Sequence, residues 1–204
     1  MLCGLPAAGK TTTAERLHAC VGGVLIRSCD VYHALGISVP EWVRRTRGFT
    51  IDVAGYDRLR DRAYEEMARS LDTALARVRA VILDAVYGER PKREAVYSLC
   101  RAHGVEPTLV LCCCHDMALV SRRFEARRGR EAIPEHEASD LAVFRDIARR
   151  WQDPRADRLA DGSAPALVEY DTARERLRFH AGVDPALFRL IRTALGAPVD
   201  VLEH

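Results

Sequence analysis

The stretch Gly4-Leu5-Pro6-Ala7-Ala8-Gly9-Lys10-Thr11 decides the fold, because it has the spacing G-x-x-x-x-G-K-[ST] of a phosphate-binding loop. Glycines let such a loop wrap around phosphate oxygens with its backbone N–H groups pointing inward, and the helix that follows adds its positive N-terminal end. Lys10 is placed to bridge the β- and γ-phosphates, and the Thr11 hydroxyl to bind Mg²⁺. We therefore expect the residues from Gly4 to Thr12 to bind a nucleotide.

Strand and helix patterns alternate along the rest of the chain. Apolar stretches predict a short first strand at 1–3 and further strands at 24–26, 80–83, 108–114 and, as the last one, 166–170. Apolar residues that recur every three or four positions predict helices at 11–21, 31–35, 55–79, 91–103, 117–128, 139–151 and 185–195, with another short helix after Pro40. Alternating βα units favour a three-layer α/β fold, in which helices cover both faces of a doubly wound parallel sheet.

The composition of the 204 residues is that of a folded globular domain, with 48% hydrophobic and 29% charged residues. A net charge of +2 gives no overall sign of a nucleic-acid-binding protein. Every apolar run is shorter than ten residues, and such runs are too short to span a membrane. No secretory signal opens the chain, so we expect a cytoplasmic protein. One domain is predicted over 1–201, and 202–204 resemble the start of a purification tag.

The cysteines do not form the pattern of a disulfide framework. Their number, seven, is odd, and no C-x-x-C spacing occurs among Cys3, Cys20, Cys29, Cys100, Cys112, Cys113 and Cys114. The last three continue an apolar run, so we expect them to pack as small hydrophobic side chains, with metal binding or redox chemistry as the alternative.

The phosphate loop, followed by Asp30, by Leu83-Asp84 and by an arginine-rich helix, resembles the small P-loop kinases. Within these, the sequence is most similar to the polynucleotide-kinase-like and zeta-toxin-like proteins and to antibiotic phosphotransferases such as that for chloramphenicol. The resemblance runs from about residue 4 to residue 172. It implies ATP and Mg²⁺ as cofactors and phosphoryl transfer to a hydroxyl group, and the lack of an N-K-x-D guanine signature favours ATP over GTP.

Asp30 follows the predicted strand 24–26, and ligands of doubly wound sheets bind beyond the carboxyl ends of the strands. A carboxylate there can orient an acceptor hydroxyl and take its proton, although Asp30 could instead only cap the next helix. The resembling kinases carry D-x-x-R at this point, whereas this chain has His33 in place of the arginine. Because histidine lacks the bidentate clamp of arginine, this pair of predicted substrate-binding residues favours an acceptor without a phosphate group.

Asp84 ends a predicted strand of apolar residues, as in a Walker B element. An acid at this point would hold Mg²⁺ through water, and in the resembling kinases the same position touches the acceptor. The alternative is an aspartate that only starts a turn. We predict Asp84 as a metal-binding residue, together with Thr11, and as a substrate-binding residue.

Arginines crowd the end of one predicted helix and the loop beyond it, namely Arg122, Arg123, Arg127, Arg128 and Arg130. Arg123 and Arg127 are four residues apart and share a helix face. The resembling kinases have a lid of the form R-x-x-x-R in this segment, whose arginines neutralise charge on the transferring phosphoryl group. The resemblance thus implies a lid over about 122–140 and the catalytic residues Asp30, Lys10, Arg123 and Arg127, whereas a solvated helix face is the alternative.

Three functions stay open at this point. The first is a kinase for a small-molecule hydroxyl. Trp42 and Phe49 lie where an acceptor pocket would form, although aromatic residues are more often part of the core. The resemblance implies that segment 168–172 lies beside the adenine and that segment 151–154 closes the lid. The second is a kinase for a polynucleotide 5′-hydroxyl, which the arginines between 44 and 47 would favour. The third is an ATP-dependent switch that phosphorylates nothing. No membrane partner is expected.

Overall fold

The centre of the molecule is a β-sheet with helices on both faces. The computed structural model describes residues 1–36, 53–128, 141–180 and 182–199. The strands in these ranges are β1 (Leu2–Cys3), β2 (Val24–Arg27), β3 (Val81–Asp84), β4 (Thr108–Cys113), β5 (Ala166–Asp171) and β6 (Arg176–Phe179). The helices there are α1 (Lys10–Val21), α2 (Ser28–Ala34), α3 (Val53–Leu75), α4 (Arg90–Ala102), α5 (Met117–Arg128), α6 (Leu141–Arg149) and α7 (Pro185–Leu195), with a 3₁₀ turn at Pro154–Ala156.

The described strands lie in the order β2-β3-β1-β4-β5-β6. Strands β1 to β5 run parallel, and β6 pairs antiparallel with β5. Asp84 is paired with Leu2 on one side and with Arg27 on the other, so β1, β2 and β3 reach the same edge of the sheet together. Ligands of α/β sheets bind at this edge, the one from which the phosphate loop leaves β1.

Successive residues of the central strands face opposite sides of the sheet, and both sides are buried. Leu2 and Ile82 pack with α1 and α7, whereas Cys3 and Leu83 pack with α2, α3 and α4. Strands buried on both faces are apolar throughout instead of alternating, which explains the continuous apolar runs in the sequence. The three-layer α/β fold is confirmed.

Two predicted features of the sheet and its helices are wrong. The strand at 166–170 is not the last one, because β6 follows it and breaks the parallel pattern. Only Leu177 of β6 is fully buried, and arginines alternate with its apolar residues, so this short edge strand gave a weak signal. The long helix predicted to reach residue 79 ends at Leu75, where the N–H groups of Arg77 and Val78 both turn back to the carbonyl of Ala74.

Helix α2 begins at Ser28, three residues before its predicted start, and this shift moves Asp30 into the first helical turn. The short helix predicted after Pro40, with Trp42, Phe49 and the neighbouring arginines, lies outside the described residues, as does most of the predicted lid. None of the helices in the described ranges has the length and hydrophobicity needed to cross a bilayer.

Candidate functional site

The phosphate loop between β1 and α1 requires its glycines for conformational and steric reasons. Gly4 has φ +153°, and a Cβ on it would lie 2.4 Å from the carbonyl oxygen of Cys112 on β4. Gly9 has φ +88°, and a Cβ there would lie 3.0 Å from the Thr172 side chain. Both conformations are rarely adopted by residues with a side chain. The loop therefore turns tightly against the ends of β4 and β5.

The start of α1 is built to face an anion. Gly9 is the N-cap, no side chain caps the helix, and no acidic residue lies in its first turn. The Lys10 ammonium folds back over the loop and donates a hydrogen bond to the carbonyl oxygen of Leu5 at 2.9 Å. Thr11 and Thr12 are exposed at the same helix start. A helix N-terminus, one ammonium and two exposed hydroxyls thus lie next to one another, and groups of these kinds can bind an anion.

Thr172, at the end of β5, and Arg123, on α5, fasten this loop from behind. The Thr172 hydroxyl donates to the carbonyl oxygen of Ala8 at 2.9 Å, and its backbone N–H donates to the carbonyl oxygen of Cys113. The Arg123 guanidinium donates to the carbonyl oxygen of Ala7 at 2.8 Å and to the Thr172 hydroxyl at 3.0 Å. These contacts hold the phosphate loop against two other elements.

This position of Arg123 differs from the expected one at the surface of a lid. Its guanidinium is engaged by the backbone of the phosphate loop and by Thr172. Its predicted contact with a transferring phosphoryl group stays a prediction, as does the role of Arg127, whose side chain lies outside the described part of the structure. Segment 168–172, predicted to lie beside an adenine, ends in contact with the loop.

Asp84 lies at the carboxyl end of β3, directly beside β1, and only 4% of its surface is exposed. Burial of a carboxylate is costly, and a bound cation or a hydroxyl donor would offset that cost. The position of Asp84 therefore supports a ligand-binding role more than that of a turn residue.

Asp30 lies at the same edge of the sheet, one helical turn beyond the end of β2. Its carboxylate accepts hydrogen bonds of 2.7 and 3.2 Å from the Arg27 guanidinium, and the side chain is 52% exposed. Asp30 is not the N-cap of α2, because the cap is Arg27. The alternative that Asp30 serves only as a helix cap is therefore wrong. His33, three residues further along α2, is also exposed and shares the helix face of Asp30.

A cavity of about 120 Å³, partly open to solvent, lies beside the first half of the phosphate loop. Its walls are mainly apolar side chains and backbone, with His115 as the titratable exception apart from the thiols. The lining comprises Gly4, Leu5, Pro6, Ala8, Leu111, Cys112, Cys113, Cys114, His115, Val120, Phe144 and Trp151. The segment that begins at Trp151, predicted to close the lid region, thus contributes a wall of this cavity.

The cysteines near the loop are packing residues. Burial raises the pKa of the Cys3 thiol to about 12 and that of the Cys112 thiol to about 12, so both stay neutral at neutral pH. Burial also raises the pKa of Cys113 to about 11. Neutral buried thiols behave as small hydrophobic groups, which is the role expected from the apolar run.

Sequence reasoning missed a buried ion pair close to Asp84. It joins Arg93 on α4 to Asp157, which directly follows the 3₁₀ turn. Their side chains are 0% and 1% exposed, and 2.6 Å separates Nε of Arg93 from Oδ2 of Asp157. The two residues are 64 positions apart in sequence, and arginine is abundant throughout this chain. No local pattern therefore singles out either partner.

A family model described as an AAA domain matches residues 1–154, about three quarters of the chain. The chain belongs to this family. It is a P-loop kinase-like family, and the matched residues include the phosphate loop, Asp30 and Asp84. No curated protein matches the chain significantly.

Solved structures of similar fold include several kinases. Kti12 from Chaetomium thermophilum, in complex with ADP-AlF3, has a TM-score of 0.55 and 18% identity, covering 96% of this chain and 94% of that one. A gluconokinase from Sinorhizobium meliloti 1021 has a TM-score of 0.52 and 14% identity, with coverages of 96% and 89%. A sugar kinase from Janibacter sp. HTCC2649 has a TM-score of 0.56 and 15% identity, with coverages of 96% and 91%. At these identities the likeness establishes the P-loop kinase fold.

Proposed function

We propose that this protein is an ATP-dependent phosphotransferase that moves the γ-phosphoryl group of ATP to a hydroxyl group of a small molecule. The observation that carries the proposal is the convergence, at one edge of the sheet, of the phosphate loop with two carboxylates. One of these, Asp84, is buried, whereas Asp30 is accessible. Phosphoryl transfer relies on charge neutralisation and on positioning of the acceptor. In this proposal the buried carboxylate serves the first need and the accessible carboxylate the second.

In this proposal the chain's own groups bind the nucleotide and prepare the acceptor. The loop amides and Lys10 bind the β- and γ-phosphates, and Arg123 with Thr172 keeps the loop in place. Asp30, oriented by Arg27, accepts the proton of the acceptor hydroxyl. The acceptor oxygen then forms a bond to the γ-phosphorus as the bond to the β–γ bridging oxygen breaks, and ADP leaves.

The residues present fit Mg²⁺. The Thr11 hydroxyl and the Asp84 carboxylate are hard oxygen donors, and Mg²⁺ is commonly held by one or two protein groups together with phosphates and water. The described residues contain no group of three or more His, Cys, Asp or Glu side chains arranged for a metal ion, so a site shared with the nucleotide is the better match. When bound there, the ion would neutralise charge on the β- and γ-phosphates.

Two observations favour a small acceptor over a polynucleotide end. Position 33 holds histidine instead of the arginine that would clamp a phosphate group. The net charge of +2 gives no overall sign of the basic surface that a polynucleotide would need. Of the P-loop kinases that the sequence resembles, the antibiotic phosphotransferases are those whose acceptor class agrees with this proposal.

The test is a transfer screen with ATP labelled at the γ-phosphate. Sugars, antibiotic alcohols, nucleotide sugars and 5′-hydroxyl oligonucleotides serve as acceptors. We expect label in a small alcohol, with little dependence on salt. Label in an oligonucleotide, with activity that falls steeply as salt rises, would indicate a polynucleotide kinase instead. Release of inorganic phosphate alone would indicate the ATP-dependent switch.

A further inference from the structure

The buried ion pair of Arg93 and Asp157 connects the end of α4's first turn to the segment that follows α6. Two guanidinium nitrogens of Arg93 donate to the two carboxylate oxygens of Asp157 at 2.6 and 2.7 Å, and the Tyr97 hydroxyl donates to the same carboxylate at 2.8 Å. Burying two charges costs more than their attraction returns in many proteins, so stability alone is a weak reason for such a pair. The other contacts of Arg93 point to a different reason.

The third guanidinium nitrogen of Arg93 donates to the carbonyl oxygen of Tyr87 at 2.9 Å. Tyr87 has φ +45°, a conformation that a residue with a side chain adopts only when its surroundings impose it. The Cys3 thiol donates to the same carbonyl, and the hydroxyl of Tyr64 on α3 accepts the Tyr87 N–H. The backbone of Tyr87 is thus held from three elements.

The loop that contains Tyr87 connects β3 to α4, and it touches both parts of the proposed nucleotide site. It begins directly after Asp84, and the carbonyl oxygen of Val86 accepts the N–H of Gly4, the first residue of the phosphate loop, at 3.1 Å. We call residues 84–88 the β3–α4 junction. A shift of Tyr87 would move both the buried carboxylate and the start of the phosphate loop.

The segment after α6 is fastened to the same junction at a second point. The N–H of Gln152 donates to the carbonyl oxygen of Gly88 at 2.9 Å, and the Trp151 ring lies 3.2 Å from the place where a Cβ on Gly88 would stand. Five residues later Asp157 holds Arg93. Segment 151–157 and the junction therefore form one connected unit.

We infer that Arg93 is a positioning residue, held by Asp157, which fixes the Tyr87 carbonyl and thereby sets Asp84 and the Gly4 amide relative to segment 151–157. The role assigned to Asp84 rests on the proposed function. The other part of the inference, that Arg93 fixes the backbone of the β3–α4 junction, does not rest on the proposed function. Residues that orient metal-binding or catalytic groups from behind affect metal affinity or activity by about 10- to 100-fold when replaced.

The test uses the full chain with the triple substitution Arg93→Met, Tyr97→Phe and Asp157→Leu. Replacing a buried ion pair by apolar groups of similar size preserves folding in other proteins, and here it removes the hydrogen bond to Tyr87. We expect a folded protein whose Gly4 and Tyr87 amides exchange hydrogen at least about tenfold faster. We also expect about a 10- to 100-fold rise in the Mg²⁺ concentration needed for ATP binding and phosphoryl transfer.

A matched control separates positioning from general loss of stability. Leu71 is buried in the same core, but it lies seven residues, or about 10 Å, further along α3 than Tyr64, which contacts the junction. Leu71→Ala therefore lowers stability without removing a hydrogen bond to Tyr87. This variant should leave exchange at Gly4 and Tyr87, and the Mg²⁺ dependence, as in the parent. The milder substitution Arg93→Lys keeps the positive charge but loses the guanidinium group that donates to Asp157 and Tyr87 at the same time. It should show the same changes as the triple variant to a smaller extent.

The inference is overturned if the folded triple variant keeps parental exchange at Gly4 and Tyr87 together with parental Mg²⁺ dependence. It is also overturned if the control Leu71→Ala reproduces the changes, or if neither Arg93 variant folds, because the pair would then serve the fold alone. If the parent transfers phosphate to no acceptor, the proposed function fails. Amide exchange at Gly4 and Tyr87 still decides whether Arg93 fixes the backbone of the β3–α4 junction.

Discussion

Gly4 lies so close to β4 that its missing side chain is a structural requirement. A Cβ would stand 2.4 Å from the Cys112 carbonyl oxygen, and φ is +153°. We predict that Gly4→Ala displaces the phosphate loop, lowers the free energy of unfolding by about 1–3 kcal/mol and reduces ATP affinity at least about tenfold. Thermal unfolding and a titration with a fluorescent ATP analogue measure the two effects.

Gly104 supplies the matched control for Gly4. It also has positive φ, +67°, but no atom lies within 4 Å of the place where its Cβ would stand. Gly104→Ala should cost only the backbone strain, about 1–2 kcal/mol, and leave ATP affinity unchanged. Equal ATP affinities for the two variants would contradict the close approach of Gly4 to β4.

The buried thiol of Cys112 predicts a stability that declines in alkali. Burial raises its pKa to about 12 from an ordinary value of 9.0. Above pH 9 the unfolded chain releases this proton while the folded chain keeps it. The free energy of unfolding therefore falls by about 1.4 kcal/mol per pH unit for each such thiol between these two values.

Urea unfolding between pH 8.5 and 10.5, values chosen on either side of the ordinary thiol pKa, measures this slope. Cys112→Ala should make the decline of the free energy of unfolding with pH shallower by the contribution of one thiol. Val110→Ala, a buried substitution on the same strand without a thiol, should keep the parental slope. Parallel curves for the parent and Cys112→Ala would show that the buried thiol does not contribute.

At the scale of the elements, the sequence predicted those helices and strands that are determined by a local pattern of apolar residues. The alternation of strands and helices was readable because both faces of the central strands are buried and α3 carries a regular apolar stripe. The start of α2 was not, since a helix that follows β2 without a capping side chain leaves no signal. Strand β6 was missed because its pairing with β5, not its own composition, makes it a strand.

The turn after β5 acts on the phosphate loop through one hydroxyl, which gives a prediction for Thr172. Thr172→Val removes the hydrogen bond to the Ala8 carbonyl oxygen and one of the acceptors of the Arg123 guanidinium, at a cost of about 1–3 kcal/mol of stability. We expect the KM for ATP to rise about 5- to 10-fold, with a smaller change in kcat. Steady-state kinetics with varied ATP provides the measurement.

Thr172→Ser is the control for this prediction because it keeps the hydroxyl and removes one methyl group. Its KM for ATP should stay within about twofold of the parental value. If Thr172→Val behaves in the same way as Thr172→Ser, the hydroxyl does not help to hold the loop.

At the scale of the whole molecule, the candidate site divides into parts that were and were not predictable. The phosphate loop, Asp30 and Asp84 could be proposed from the sequence because each lies at or just after a strand end that the apolar pattern marks, and their roles stay predictions. The contacts of Thr172 with Ala8 and of Arg93 with Asp157 join residues 164 and 64 positions apart, so no local pattern encodes them. They arise from the sheet order, which brings β4 and β5 to one side of the loop and the β3–α4 junction to the other.

The central claim is that the phosphate loop binds ATP while Asp30 activates the acceptor, and one paired measurement tests it most directly. ATP affinity and phosphoryl transfer from labelled ATP are measured for the parent, Lys10→Ala, Asp30→Asn and the control Asp72→Asn. Asp72 lies near the end of α3, where its carboxylate contacts His103.

We predict that Lys10→Ala loses transfer with weakened ATP binding, and that Asp72→Asn resembles the parent. Asp30→Asn should bind ATP normally and lose at least about 100-fold in transfer, the usual contribution of a general base. Parental transfer rates in Asp30→Asn, or in Lys10→Ala, would contradict the account.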